Sequence, residues 1–415
     1  MGKRIGAEDN FDGLRILMVA PQPFFRPRGT PFSVLHRIRA LLAAGNTVDL
    51  VTYPFGEDIE FDGLRIFRSG RPPLIRDVKI GPSIGKIFLD VFLYFKVLSL
   101  LRRQHYDVVH SHEEAAFFVI GLARRYGMKH VYDMHSSLPH QLKSFQAFDI
   151  TIFRSIFTAL EKRVLQTCDG IITICSELED IATRDCGDTP QMMIENTGDD
   201  SKVFGREVDD LRAKYNLADK PIALYTGTFE PYQGLDLLLE AFAVLLSSGQ
   251  VAHLLMVGGH PLQVKHYTDI AHSLSLQDHV TFVGSVHPSR IPSFLEATDV
   301  IVSPRSKGEY TPLKIYNYMR SGRPIVATDL PTHTQTLDST VACLVSPTPD
   351  GLAAGMRRIF DNPEIGKRLA RCAAQWTEEN YSDENYLAKV SELYRQVFNG
   401  PLQNDADRIT AAVQG

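Results

Sequence analysis

Asp299–Asp329 reads DVIVSPRSKGEYTPLKIYNYMRSGRPIVATD. Val300–Pro304 has the length and β-branched composition of a buried strand, and Ile325–Thr328 repeats that signal after a helical stretch. Between them, Arg305–Tyr310 is a polar loop. Thr311-Pro312 reads as a helix start, with the threonine oxygen as N-cap and proline in the first turn. The helix is expected to run to Arg320, with Gly322 ending it in the left-handed conformation. In an open α/β sheet, a loop and helix start at the carboxyl end of a strand lie where ligands bind. The free N–H groups and positive dipole end of such a helix suit a phosphate. Lys314 would add a charge in the first turn. Glu309, just before it, would be placed for sugar hydroxyls. A surface loop followed by a well-capped helix fits the same residues.

The same alternation extends in both directions. Leu14–Ala20 is a strand, Pro21–Pro31 a loop rich in Pro, Arg and Gly, Phe32–Ala44 a helix, and Thr47–Thr52 the next strand. Asp107–Ser111 and Val131–Met134 are strands that run into His112 and His135. An imidazole at the carboxyl end of a central strand stands where chemistry or substrate contact occurs. A second set begins at Pro221–Tyr225 and continues through the loop Gly227–Gly234, the helix Leu235–Leu246, and the strands His253–Val257 and Val280–Val283. Residues 350–379 read as one long helix and Asn385–Phe398 as a last amphipathic one. The expected organisation is a leader (1–13), an N-terminal α/β domain (14–198), a linker near 196–206, a C-terminal α/β domain (206–380), a final helical segment (381–399) and a tail (400–415).

Length and composition agree with a soluble globular protein of two or three domains: 415 residues, 44% hydrophobic and 22% charged. The five cysteines form no CxxC and no metal-binding spacing, which fits a reducing compartment. The polar N-terminus lacks the apolar core of a secretory signal, so a cytoplasmic location is expected. No apolar run reaches the roughly 18–20 residues that span a bilayer. Charge is uneven. Residues 1–150 carry 20 Lys+Arg against 15 Asp+Glu, and Arg65–Arg103 alone holds nine basic and two acidic residues. With a pI near 6.3 and no nucleic-acid motif, a nucleic-acid partner is not expected. A basic face beside the apolar stretch Ile84–Arg103 points instead to contact with anionic lipid at the inner membrane face.

The 299–329 stretch resembles the signature of the family 4 retaining glycosyltransferases: a Glu, seven residues, a second Glu, then a small-residue turn and a Pro-hydrophobic-Val-Ala strand. Glu309 matches the first Glu. Gly322, Pro324, Val326 and Ala327 match the tail. Asn317 stands at the second Glu position. The resemblance implies the GT-B fold, with two doubly wound Rossmann-like domains facing across a cleft and a C-terminal helix crossing back to the N-terminal domain. It implies retaining transfer from a nucleotide-diphosphate sugar, of uridine or guanosine type, to a glycan or lipid-linked acceptor, with no cofactor and no metal. By the same resemblance His135 and Glu309 are catalytic. Thr228, Gln233, Ser285, Val286, Arg305, Leu313, Lys314 and Asn317 bind the donor, and Gly29, Thr30 and His112 meet the acceptor. Thr228 and Gln233 stand where the family usually carries Arg and Lys, and Asn317 replaces a carboxylate. These three departures support an alternative reading, a non-catalytic homologue that binds a nucleotide sugar or glycan.

Overall fold

The computed structural model describes residues 11–26, 29–73, 75, 78, 84–139, 150–195, 201–217, 220–308 and 310–399. Glu309, Asn196 and most of the 1–13 leader and the 400–415 tail lie outside the described residues. The chain divides into two compact units. The first holds Thr30–Glu195 with the N-terminal stretch up to Arg26 and the C-terminal stretch from Glu384; the second holds Asn196–Asp383 with Gly29.

The first unit is built on seven strands: β1 (Arg15–Ala20), β2 (Thr47–Thr52), β3 (Leu64–Arg68), β4 (Val108–His112), β5 (Lys129–Met134), β6 (Gly170–Thr173) and β7 (Gln191–Met193). All pairings are parallel and the order is β3-β2-β1-β4-β5-β6-β7. The order reverses between β1 and β4, where doubly wound sheets open a ligand crevice. β1 is apolar from Ile16 to Ala20 and buried throughout that run, as expected of a strand covered on both faces. The helix Ile84–Leu101 buries Leu89, Leu93, Val97 and Leu100 against that sheet together with Tyr53 and Tyr106. The helix Gly29–Ala43 starts three residues earlier than the sequence suggested, so Gly29 and Thr30 form its first turn rather than a loop.

The terminal helix Asp383–Asn399 packs into this unit from Glu384 onward. Tyr394 is fully buried against Phe11, with ring centroids 4.8 Å apart. Lys389 Nζ meets Glu195 Oε2 at 2.7 Å. Gly170, at the start of β6, admits the helix closely: a Cβ there would lie 2.5 Å from Val397 Cγ2.

The second unit has six parallel strands: β8 (Ile222–Thr226), β9 (His253–Val257), β10 (Val280–Gly284), β11 (Val300–Ser303), β12 (Ile325–Thr328) and β13 (Cys343–Val345). Their order, β10-β9-β8-β11-β12-β13, reverses between β8 and β11. One face is covered by the helices Leu235–Ser247 and Pro349–Asp361 and the other by Lys314–Arg320 and Ile291–Ala297. The long helix expected over 350–379 is broken at Asn362, because Pro363 lacks the N–H that would continue it and instead starts the helix Pro363–Tyr381. The helix after β11 also departs from expectation. It begins at Lys314, with Leu313 in the cap position and no side-chain cap, and spans seven residues. Thr311 Oγ1 faces Thr336 Oγ1 at 3.3 Å instead of capping. Gly322 does adopt the left-handed conformation, at φ 69°.

His333 ties β11 to β12. Its Nδ1–H donates to the Thr328 carbonyl at 2.9 Å, and its Nε2 accepts from Ser303 Oγ at 2.8 Å. The ring is fully buried, and burial lowers its pKa from 6.5 to about 4, against the pull of the Thr328 carbonyl.

Two outcomes follow from these contacts. Gly170→Ala should destabilise the first unit by about 1–3 kcal/mol, the usual cost of overpacking. Hydrogen exchange should localise the effect to residues 383–399 as well as β6, and a uniform change would contradict it. His333 is neutral when folded and takes up a proton near pH 6.5 when unfolded. Its contribution is therefore present above pH 6.5 and lost as pH falls through about 4, a span worth about 3 kcal/mol. Denaturant titrations should show a shallower loss of stability between pH 6.5 and 4 in His333→Gln than in the wild type.

Candidate active site

Two polar clusters stand at the carboxyl ends of the two sheets, one in each unit. In the second unit, β8 ends at Thr226 and turns through Gly227, and Lys314 reaches this turn from the helix after β11. Its Nζ donates to the Thr226 carbonyl at 2.9 Å and to Gln233 Oε1 at 3.2 Å, and sits 4.0 Å above the Tyr225 ring. Gly227 lies at φ 136°, a conformation that L side chains rarely adopt, and a Cβ there would stand 3.1 Å from Lys314 Nζ. Gln233 Nε2 continues the chain to Thr228 Oγ1 at 3.4 Å, and Tyr225 Oη donates to the Thr228 carbonyl at 2.6 Å. Tyr318, one turn after Lys314, donates its hydroxyl to the Thr226 carbonyl at 2.9 Å.

Arg305 follows β11. Its guanidinium donates to the Tyr310 carbonyl and to Thr332 Oγ1, both at 2.8 Å, and lies 5.1 Å from the Tyr232 ring centroid. Its Nε is buried with no hydrogen-bond partner among the described residues. Among those residues neither Lys314 nor Arg305 pairs with a carboxylate. Burial, with Arg305 adding to it, pulls the Lys314 pKa well below its usual value, and burial likewise lowers that of Arg305. A cation desolvated without a counter-ion is unfavourable on its own, and an anionic ligand would relieve it. Both side chains stand at strand ends beside the β8/β11 reversal.

Of the sequence-derived donor residues, the structure brings together Lys314, Gln233 and Thr228, with Arg305 on the adjoining strand end. Leu313 stands in the cap position of the short helix that carries Lys314 and Asn317, and Leu313 and Asn317 are both half-buried. Ser285 and Val286 follow β10, two strands from β8. Ser285 Oγ donates to the Gly259 carbonyl at 2.8 Å, and Val286 packs on the core. Glu309 falls outside the described residues.

In the first unit, His110 and His112 share one face of β4, and Asp133 and His135 share one face at the end of β5, with His112 paired opposite Asp133 in the ladder. Arg37, from the helix Gly29–Ala43, is fully buried and donates Nε–H to Asp133 Oδ2 at 2.7 Å. His110 Nε2 lies 3.2 Å from the same oxygen, and its Nδ1 lies 2.6 Å from Tyr394 Oη. His112 Nδ1 faces His135 Nε2 at 2.9 Å, and His135 Nε2 is 3.3 Å from Asp133 Oδ1. Tyr386 lies against the Arg37 guanidinium, 5.1 Å to the centroid.

Burial lowers the pKa of all three histidines, that of His135 to about 4, so the rings are neutral near pH 7. For Asp133, burial alone would raise the pKa, but Arg37 and the histidines outweigh it and hold the carboxylate well below its usual range. His110, His112 and Asp133 offer ligand atoms within 4.8 Å of one another. The Arg37 guanidinium already neutralises that carboxylate, so the group fits a hydrogen-bonded network better than a divalent ion.

This corrects the expectation that His112 meets the acceptor. Its side chain has no exposed surface and stacks on His135, ring centroids 5.1 Å apart. His135 keeps only 4% of its side chain exposed. Gly29 is exposed and Thr30 half-buried at the start of their helix. Asp133, Arg37, His110 and Tyr394 were missed from sequence. The paired i, i+2 spacing of His110/His112 and Asp133/His135 was the one available signal; Arg37 and Tyr394 are remote in sequence and carried none.

Comparison with known proteins fits both halves of the chain. Residues 27–197 match the description Glycosyltransferase Family 4, and residues 207–376 match Glycosyl transferases group 1. Alpha-D-kanosaminyltransferase of Streptomyces kanamyceticus is 25% identical over 72% of this chain and 79% of its own length. Phosphatidyl-myo-inositol mannosyltransferase of Mycobacterium leprae is 24% identical over 92% of this chain and 97% of its own. Among solved structures, sucrose-phosphate synthase from Thermosynechococcus elongatus superposes with a TM-score of 0.77 at 22% identity, covering 94% of this chain and all of its own. The Anabaena protein HepE, in complex with UDP, gives 0.69 at 17% identity, covering 92% of this chain and all of its own. With two parallel six- and seven-stranded sheets, each reversing at its central pair, and with both halves matched, the chain is a family 4 glycosyltransferase of the GT-B fold.

Proposed function

We propose that the chain transfers a sugar from a uridine- or guanosine-diphosphate donor to a glycan or lipid-linked acceptor, with retention of configuration and without a required metal or cofactor. The observation that carries this reading is that Lys314 and Arg305 stand beside the β8/β11 reversal hydrogen-bonded only to neutral groups, with no carboxylate beside them among the described residues. A departing diphosphate develops charge as the glycosidic bond lengthens, and fixed cations in a dry site stabilise that charge without reorganising. Gln233 and Thr228 stand where the family usually carries cations. Their neutral hydrogen bonds hold Lys314 and each other, which leaves Lys314 and Arg305 as the charges for the diphosphate. Glu309 would hold hydroxyls of the transferred sugar and His135 a hydroxyl of sugar or acceptor, with the leaving phosphate taking the acceptor proton.

The lipid-linked acceptor draws support from the helix Ile84–Leu101. Opposite its buried side it exposes Ile87, Phe88, Val91, Phe92 and Phe95, with Phe88 58% and Phe95 61% exposed. These positions form one stripe at helical spacing. The helix lies within the basic segment 65–103, where Lys96 flanks the Phe67 ring. No helix among the described residues is long and apolar enough to cross a membrane, so the geometry suits a helix lying in the interface of an anionic bilayer at its cytoplasmic face. One relative is named for phosphatidyl-myo-inositol, itself a lipid.

Turnover of UDP- and GDP-sugars, followed by nucleotide release, tests the donor. Lys314→Met should lower kcat/KM by about 10- to 150-fold, the worth of a charge-assisted contact of roughly 1.5–3 kcal/mol; an unchanged rate would remove Lys314 from the diphosphate site. Flotation tests the membrane. The wild type should rise with phosphatidylglycerol vesicles at low salt and stay down with phosphatidylcholine alone. Phe88→Glu/Phe95→Glu should abolish flotation, and a double variant that still floats would place the lipid contact elsewhere.

A further inference from the structure

The buried network of the first unit contains one group that the transfer reaction does not itself call for. Asp133 is fully buried and its two oxygens face different neighbours. Oδ2 accepts from Arg37 Nε and stands 3.2 Å from His110 Nε2. Oδ1 makes no hydrogen bond of good geometry, yet His135 Nε2 lies only 3.3 Å away. The same His135 nitrogen faces His112 Nδ1 at 2.9 Å. One of these two ring nitrogens must carry the proton between them.

The carboxylate decides which. A proton on His135 Nε2 lies between two acceptors, His112 Nδ1 and Asp133 Oδ1. A bare lone pair on Nε2 would face the negative oxygen at 3.3 Å, which is repulsive in a low-dielectric interior. His110 follows the same rule: with its proton on Nε2 toward Asp133, its Nδ1 is free to accept from the Tyr394 hydroxyl at 2.6 Å. A neutral imidazole has one proton, so fixing it on Nε2 leaves Nδ1 as an acceptor.

We propose that Asp133, braced by Arg37, is a positioning residue that holds His135 as its Nε2-protonated tautomer and thereby presents Nδ1 as a bare acceptor to a substrate hydroxyl. The tautomer is a property of the free protein. Its use toward a hydroxyl rests on the glycosyl-transfer reading given above. The neutral state of His135 at working pH, with its pKa near 4 through burial, keeps that lone pair available. His112 acts as the inner acceptor of the pair, which gives a fully buried ring a role that direct acceptor contact does not.

The test is nitrogen NMR of full-length protein labelled with 15N-histidine, at pH 7.5, with the His135 signals assigned by their loss in His135→Gln. The expected wild-type spectrum shows His135 Nδ1 at the shift of an unprotonated nitrogen and Nε2 at that of a protonated one. A proton on Nδ1 overturns the proposal whatever the kinetics show. Asp133→Asn supplies the second measurement. In protein that melts cooperatively, the mutation should move His135 toward the Nδ1-protonated tautomer. It should also lower kcat by about 10- to 100-fold with the donor KM unchanged. A folded variant with the wild-type tautomer and rate overturns the proposal. Should Asp133→Asn fail to fold, the wild-type spectrum decides alone. Wild-type protein that shows the expected tautomer but transfers no sugar from any donor would sink the functional reading and leave the Asp133 assignment standing.

Discussion

A parallel strand covered on both faces has nowhere to put a polar side chain except near its ends. Both sheets largely follow that constraint, and the mid-strand exceptions His110 and Asp49 are each held by polar partners. β1, β4, β8, β9, β11 and β12 are buried almost along their whole length, so charge and hydrogen-bonding capacity collect where strands give way to loops. The carboxyl ends gather the groups that matter: Thr226, Gly227 and Arg305 in one unit, His112 and His135 in the other. The reversal of strand order in each sheet leaves a gap between neighbouring connections at that edge. Sheet architecture thus determines where chemistry happens before any individual residue determines what it is.

The two clusters solve the cost of buried charge in opposite ways. Around Asp133 the charge is matched internally: a guanidinium lies against the carboxylate, and neutral imidazoles fill the remaining directions. Such a group gains definition of geometry more than stability, since desolvating both ions offsets much of their attraction. Around Lys314 the match is left open. The ammonium ion has a carbonyl, an amide oxygen and an aromatic face for company, which stabilise it only in part. One cluster balances its charge within the free protein; in the other, the ammonium meets only neutral groups among the described residues.

Sequence reading recovered the architecture because hydrophobic alternation reports directly on burial. The strand–loop–helix order along the chain carried the two α/β domains, while the GT-B fold and the grouping of Lys314 with Gln233 and Thr228 were implied by the resemblance of the 299–329 stretch. What it misread were local backbone events. Thr311 had the chemistry of a cap, but Thr336 holds its hydroxyl and the helix waits until Lys314. Asn362 interrupts a stretch whose apolar spacing alone does not show the break. His112 was legible as a strand-end histidine but not as a buried one, because its neighbours Asp133 and His135 come from another strand, and His110 beside it is closed by Tyr394, 284 residues away in sequence. Long-range partners of this kind leave no local trace.

That last separation bears on how the polypeptide is made. The first unit's polar interior closes on hydroxyl and aromatic groups supplied by Tyr386 and Tyr394, which follow the whole second unit in the chain. Until they are made the nascent N-terminal half holds an arginine, an aspartate and three imidazoles without their lid. The polar interior of this unit therefore closes only after the whole of the second unit, Asn196–Asp383, has been synthesised.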